Sequence, residues 1–260
     1  MRADIAHNPD AAAPGRGIAA REDAGPGMRV VLFDIDGTLL IMGRAARHAF
    51  ASALSRAAGR PVDPDGYSFS GKTDPQIARD ILLCEGLRGP LLESAIPETI
   101  RNYVRLITGE RECLRDARLL PGVRELLASL GGRADLRLGL LTGNVEPGAR
   151  AKVDHFGLTG FFDFSLSCFG SDDPDRYRLP ALALARARRR LGADLPPGHL
   201  ILVGDSEHDV MCARTVGART VAVGTGWTPV EALRRLGPDA VLEDLSDTGR
   251  AVRAILPLAT

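Results

Sequence analysis

The apolar run Val30-Val31-Leu32-Phe33 ends abruptly in Asp34-Ile35-Asp36-Gly37-Thr38-Leu39. A run with no polar face predicts a strand buried on both sides in a parallel sheet. Asp34 then falls where that strand leaves the sheet. In open α/β sheets the ligand crevice lies at the carboxyl ends of the strands. Two carboxylates one residue apart at such a place cost desolvation and repel each other. A cation offsets both penalties, so the pattern points to a Mg2+ site with a nucleophile in it.

Five later runs read as further buried strands, over 136–141, 162–166, 200–203, 220–223 and 240–242. Helical patterns lie between them: one begins at Pro121, and others span 147–156, 180–191, 209–216 and 227–236. Gly217 and Gly237 stop the last two. Strands alternating with helices predict a doubly wound parallel α/β sheet. The stretch 42–118 breaks this rhythm, with helical patterning at 44–58, 75–85 and 91–106 and no convincing strand. It is expected to be a helical insertion, leaving 28–41 and 119–260 as the α/β core.

Composition narrows the partners. The 260 residues carry 33 basic and 33 acidic side chains and are 45% hydrophobic, so no global charge favours nucleic acid or an anionic membrane. Lys72 and Lys152 are the only lysines; the other basic residues are arginines. Cys84, Cys113, Cys168 and Cys212 are scattered, which predicts reduced thiols and a cytoplasmic location. No apolar run reaches bilayer-spanning length. Residues 1–27 lack the apolar stretch of a signal peptide and read as a disordered tail. Met28, just before the first strand, is the expected start of translation.

Three predicted strands end in polar residues of one character. They are Asp34-Ile35-Asp36-Gly37-Thr38, Thr142-Gly143-Asn144 and Gly204-Asp205-Ser206-Glu207-His208-Asp209. Parallel strands bring such ends to one crevice, where acidic, hydroxyl and glycine residues suit a phosphate held with a hard metal ion.

In this order and context the motifs resemble those of the haloacid dehalogenase superfamily, in its phosphatase branch, and in general pattern a phosphoglycolate phosphatase-like hydrolase. The resemblance runs from about Val30 onward. It implies a Rossmann-like core with a helical cap, and Mg2+-dependent hydrolysis of a small phosphorylated metabolite. Asp34 would attack phosphorus, and Asp36 would serve as acid and then base. Asp34, the Asp36 carbonyl and Asp205 would hold the metal, with Asp209 beside it. Thr142 and the amides around Gly143 and Asn144 would bind the phosphoryl group. Asp36 favours phosphoryl transfer over dehalogenation, because a halide leaves without a proton. A phosphomutase, a haloacid dehalogenase-type hydrolase of the same fold and a non-catalytic binding member are the other readings. The protein is expected to be a monomer or homodimer.

The third motif departs from the family, which usually has Lys there. Here the stretch reads Asp175-Arg176-Tyr177-Arg178-Leu179-Pro180. Arg176 is the favoured cation; Arg178 and Lys152 are alternatives. Within the cap, Ser70-Gly71-Lys72-Thr73-Asp74 is the most polar element, and Lys72 and Thr73 are expected to reach the substrate. Gly66 to Thr73 also fits the spelling of a nucleotide-binding P-loop. No strand can precede it, so the match reads as chance. His208 reads as a bystander, Trp227 and Phe161-Phe162 as core, the cysteines as buried small hydrophobes, and the arginines at 186–190 as a solvated helix face.

Overall fold

The computed structural model describes residues 27–109, 111–191 and 195–257. The expected tail lies outside them except for Gly27. The chain begins with β1 (Arg29–Phe33) and β2 (Leu40–Ile41), then α1 (Arg44–Ala58), α2 (Asp74–Cys84) and α3 (Gly89–Gly109). It continues with β3 (Arg118–Leu119), α4 (Val123–Gly131), β4 (Leu136–Thr142), α5 (Glu146–His155), β5 (Cys168–Phe169) and α6 (Leu179–Leu191). Last come β6 (Leu200–Gly204), α7 (Glu207–Arg214), β7 (Arg219–Val223), α8 (Val230–Arg235), β8 (Ala240–Leu242) and α9 (Thr248–Ile255).

Six strands form one sheet in the order β5-β4-β1-β6-β7-β8, and every pairing is parallel. Alternate residues of β1 serve opposite faces, as the two-residue period of a strand requires. Val31 and Phe33 pack with Leu126 and Leu127 of α4, Val153 of α5 and Ile255 of α9. Val30 and Leu32 pack with Leu184 of α6 and Ala213 of α7. Helices thus cover both faces, which is why β1 is apolar throughout. The fold is a doubly wound parallel α/β sheet with an inserted helical cap.

Local chemistry moved several elements. No strand forms over 162–166. The Asp163 side chain accepts from the Ser165 amide at 2.9 Å and closes a turn, and the strand forms later, at Cys168–Phe169. Helix α9 was not anticipated. Asp247 caps it by accepting from the Arg250 amide at 2.8 Å, and Ala251 and Ile255 bury its inner face. Trp227 is 90% exposed rather than core, and Cys84 is exposed. Arg186 is not merely solvated: it grips both oxygens of Asp172 at 2.9 and 2.7 Å.

Helices α1–α3 bury an apolar cluster of their own, built on Phe50, Leu54, Ile81, Leu82, Ile96 and Ile107. The chain enters and leaves this cap through one antiparallel ribbon, in which Leu40 faces Leu119 and Ile41 faces Arg118. The loop holding Gly66 to Thr73 follows α1 with no strand before it, so the P-loop spelling has no P-loop context.

The cap rests on the core through the start of α2. The Asp74 amide donates to the Gly143 carbonyl at 2.8 Å. The Asp74 carboxylate accepts from the Val145 amide at 2.9 Å, at the N-terminus of α5. A Cβ on Gly143 would lie 2.0 Å from the Lys72 carbonyl oxygen, so only glycine permits this approach. Burial pushes the Asp74 carboxyl up to about 6, against the pull of Lys152.

Two outcomes follow. Leu126→Ala should cost about 2–5 kcal/mol by urea unfolding, whereas Leu91→Ala, on the surface, should stay within about 0.5 kcal/mol. Asp74 is protonated more readily folded than unfolded, so its contribution is fully present below pH 4 and is lost as pH rises through about 6. The loss amounts to roughly 3 kcal/mol at most. Asp74→Asn keeps an acceptor for the Val145 amide and should therefore gain on wild type steadily from pH 4 to pH 7. A stability difference independent of pH would refute this.

Candidate active site

The sheet order makes β4, β1 and β6 neighbours, so the three polar strand ends lie side by side. Asp34 follows Phe33 directly, and its amide donates to the Val203 carbonyl at 2.9 Å. The chain then turns sharply. The amides of Leu39 and Leu40 both donate to the Ile35 carbonyl, at 2.9 and 3.1 Å. Gly37 has φ +93° within this turn, and a Cβ there would lie 2.4 Å from Asp205 Oδ2. The turn brings Thr38 Oγ1 to within 2.9 Å of Asp205 Oδ1, to which it donates.

Asp34, Asp205 and Asp209 are all buried, and one carboxylate oxygen of each lies within 4.8 Å of the others. Burial pushes Asp34 up to about 6, with Arg176 pulling it down and Asp209 and Asp36 pushing it further up. Burial likewise raises Asp205 well above the usual carboxylate range, with the charges of Asp209 and Asp34 adding to it. An all-oxygen cluster carrying surplus buried negative charge fits a hard divalent cation.

Arg176 lies within this cluster. It sits in a short helical turn opened by Asp175, whose side chain accepts from the Tyr177 amide. Its Nη2 reaches Asp34 Oδ2 at 3.1 Å and also bonds Asp209 Oδ1. Asp209 has both oxygens engaged, because Oδ2 accepts from the Ser206 amide and hydroxyl, closing a capping box on α7. Arg178 points outward, 72% exposed, toward Asp173 and Asp175.

Lys152 goes elsewhere. It is buried on α5, and its Nζ donates to Asp36 Oδ1 at 2.9 Å, to Asp36 Oδ2 at 2.7 Å and to Asn144 Oδ1 at 2.5 Å. Asn144 Nδ2 donates to Asp36 Oδ2 at 2.7 Å and to Thr142 Oγ1 at 2.8 Å. The three alternatives for the third-motif cation thus have three different surroundings.

The cap residues Lys72 and Thr73 are not aimed at this cluster. Lys72 Nζ donates to the Tyr67 hydroxyl at 2.5 Å and to Asp80 at 3.3 Å, and lies over the Tyr67 ring. Thr73 caps α2 and donates to the Pro174 carbonyl at 2.7 Å. The backbone of both residues also lies close to Gly143 of the core. His208 packs against Gly71 and meets the Tyr177 hydroxyl at 3.2 Å; burial and the charge of Arg176 lower its pKa.

Sequence reasoning passed over two contributors. Asp74, described above, is one. The other is the loop after β7. Thr225 Oγ1 donates to the Gly37 carbonyl at 2.6 Å, and a Cβ on Gly226 would lie 1.6 Å from Asp205 Oδ2. The two glycines of Gly224-Thr225-Gly226 are the signal that the backbone passes close to another group.

Comparison with known proteins gives the chain a family. A family model for haloacid dehalogenase-like hydrolases matches residues 28–217. A phosphoglycolate phosphatase of Synechococcus elongatus is 30% identical over 88% of this chain and 99% of its own. The tyrosine-protein kinase PtkA of Mycobacterium tuberculosis is 32% identical over 78% of this chain, which spans only 64% of the kinase's length. Among solved structures, CbbY from Rhodobacter sphaeroides in complex with phosphate superposes with a TM-score of 0.63 at 22% identity, over 85% of this chain and 96% of its own. With strand-end motifs in order on a capped parallel sheet and a family match over most of its length, the chain belongs to the haloacid dehalogenase-like hydrolases.

Proposed function

We propose that the protein is a Mg2+-dependent phosphatase that hydrolyses a small phosphomonoester through an aspartyl-phosphate on Asp34. The observation that carries this is the pairing of Asp34, buried beside Arg176 and Asp205, with Asp36 two residues on, whose side chain is 39% exposed to the crevice. One group is set in the buried cluster and the other is partly exposed and held by Lys152 and Asn144.

Asp34 attacks phosphorus and the P–O ester bond breaks. Asp36, carrying a proton on Oδ1 while Oδ2 stays with Lys152 and Asn144, gives that proton to the departing alkoxide. Asp36, now a carboxylate, takes a proton from water as the water oxygen attacks the aspartyl-phosphate. The Asp34–P bond breaks, and inorganic phosphate leaves. Thr142 and the amides around Gly143 and Asn144 hold the phosphoryl oxygens. Arg176 balances charge on Asp34. A Mg2+ ion, when bound, offsets charge on the phosphoryl oxygens and the carboxylates. The Asp34 and Asp205 carboxylates and the Asp36 carbonyl would hold it, with Asp209 behind, fixing Arg176.

Asp36 speaks against dehalogenation, since a halide needs no proton. The phosphoglycolate phosphatase relative puts phosphoglycolate first among substrates to try. Among the described residues no helix is long and apolar enough to cross a membrane, and a small metabolite encountered in the cytoplasm by a monomer or homodimer suits the composition. A second reading, transfer from Asp34 to an acceptor hydroxyl instead of water, draws on the relative named a tyrosine-protein kinase.

Wild type should hydrolyse p-nitrophenyl phosphate and members of a phosphomonoester panel with Mg2+, stop with EDTA, and recover when Mg2+ is restored. Asp34→Asn should lose about 10⁴-fold or more. Activity surviving in that variant would refute the aspartyl nucleophile. Label passing from γ-labelled ATP to a tyrosine or sugar hydroxyl, with no phosphate released, would replace hydrolysis by transfer.

A further inference from the structure

Lys152 is a buried ammonium. Its side chain is 5% exposed, and burying an ammonium is costly unless it is paired and hydrogen-bonded. An ammonium has three protons to place. Here its nitrogen has three acceptors, both oxygens of Asp36 and Oδ1 of Asn144, at 2.5–2.9 Å. Asn144 closes a ring by donating to Asp36 Oδ2 and to Thr142 Oγ1. Asp36 is the more exposed carboxylate of the Asp34–Asp36 pair, and without this ring its side chain would be free to rotate in the crevice.

The clamp is also reached from the cap. Lys152 sits on α5, and the N-terminus of α5 is capped from across the domain boundary by the Asp74 carboxylate on the Val145 amide. Asp74 lies close enough to Lys152 to be influenced by its charge.

We propose that Lys152 is a positioning residue: with Asn144 it anchors Asp36 through Oδ2, so that Oδ1 is the oxygen that exchanges Lys152 for a proton and delivers it to the leaving group, a role that rests on Asp36 being the acid–base group. It is therefore distinct from Arg176, which serves Asp34 and Asp209. The clamp matters most where the leaving group most needs a proton.

The test uses that dependence. kcat/KM reports the step that breaks the P–O ester bond, and is measured with p-nitrophenyl, phenyl and simple alkyl phosphates. For Lys152→Met, alkyl phosphates should lose about 10- to 100-fold, a part of what general acid catalysis supplies. The p-nitrophenyl ester, whose leaving group needs little protonation, should lose about threefold or less, so the plot against leaving-group pKa steepens. Lys152→Arg, which keeps charge and donors, should recover much of the loss. Asp36→Asn is the benchmark and should steepen the plot further.

If Asp36→Asn leaves the plot parallel to wild type, the acid–base assignment of Asp36 falls. If Asp36→Asn steepens it and Lys152→Met does not, the Lys152 proposal falls while that assignment stands. An equal loss on every ester in Lys152→Met would show a general structural defect and also overturn the proposal. Should the methionine variant fail to fold by thermal unfolding, Lys152→Gln is measured and judged in the same way.

Discussion

Three buried carboxylates within 4.8 Å of one another set the terms for everything around them. At an effective dielectric of about 20, each pair of ionised groups at that separation repels by roughly 3 kcal/mol. A fold that keeps such a cluster must supply compensation nearby. Arg176 does so from within, Thr38 donates to Asp205, and the Ser206 amide and hydroxyl hold Asp209. The close approach also limits side chains: Gly37 and Gly226 lie so near Asp205 that neither has room for a Cβ.

Two cations divide the remaining work according to their shapes. The planar guanidinium of Arg176 spans Asp34 and Asp209 from one nitrogen, and its burial is offset by both. The compact ammonium of Lys152 is held at three acceptors around Asp36. They come from different elements, Arg176 from the short helical turn before α6 and Lys152 from α5. The nucleophilic and proton-handling positions are thus braced separately, although only Ile35 separates them in the chain.

The sheet and the convergence of three strand ends were legible because they depend on local pattern. Apolar runs mark buried strands whatever they pack against, and a strand end is visible as the place where polarity changes. What was hidden depends on groups far apart in sequence. Nothing around Lys152 announces that Asp36 lies against it, and nothing around Lys72 announces that Tyr67 and Asp80 hold its ammonium. The false strand over 162–166 failed because one Asp163 side chain competes for its own backbone. Helix α9 escaped because its buried stripe is short, with Ala251 and Ile255 as its inner contacts. Asp74 and Gly226 were in view as letters, but their importance lies in what they touch.

The single tryptophan of the chain stands on the loop that presses Gly226 against Asp205, with its indole almost wholly in solvent. Its emission therefore does not report on the apolar core. The fluorescence of the native protein should already be red-shifted, and unfolding should change it little. Between the cluster and the indole stand the non-bonded approach of Gly226 to Asp205 and one peptide link from Gly226 to Trp227. The protein thus carries its one tryptophan in solvent, one residue away from a glycine whose approach to Asp205 leaves no room for a Cβ.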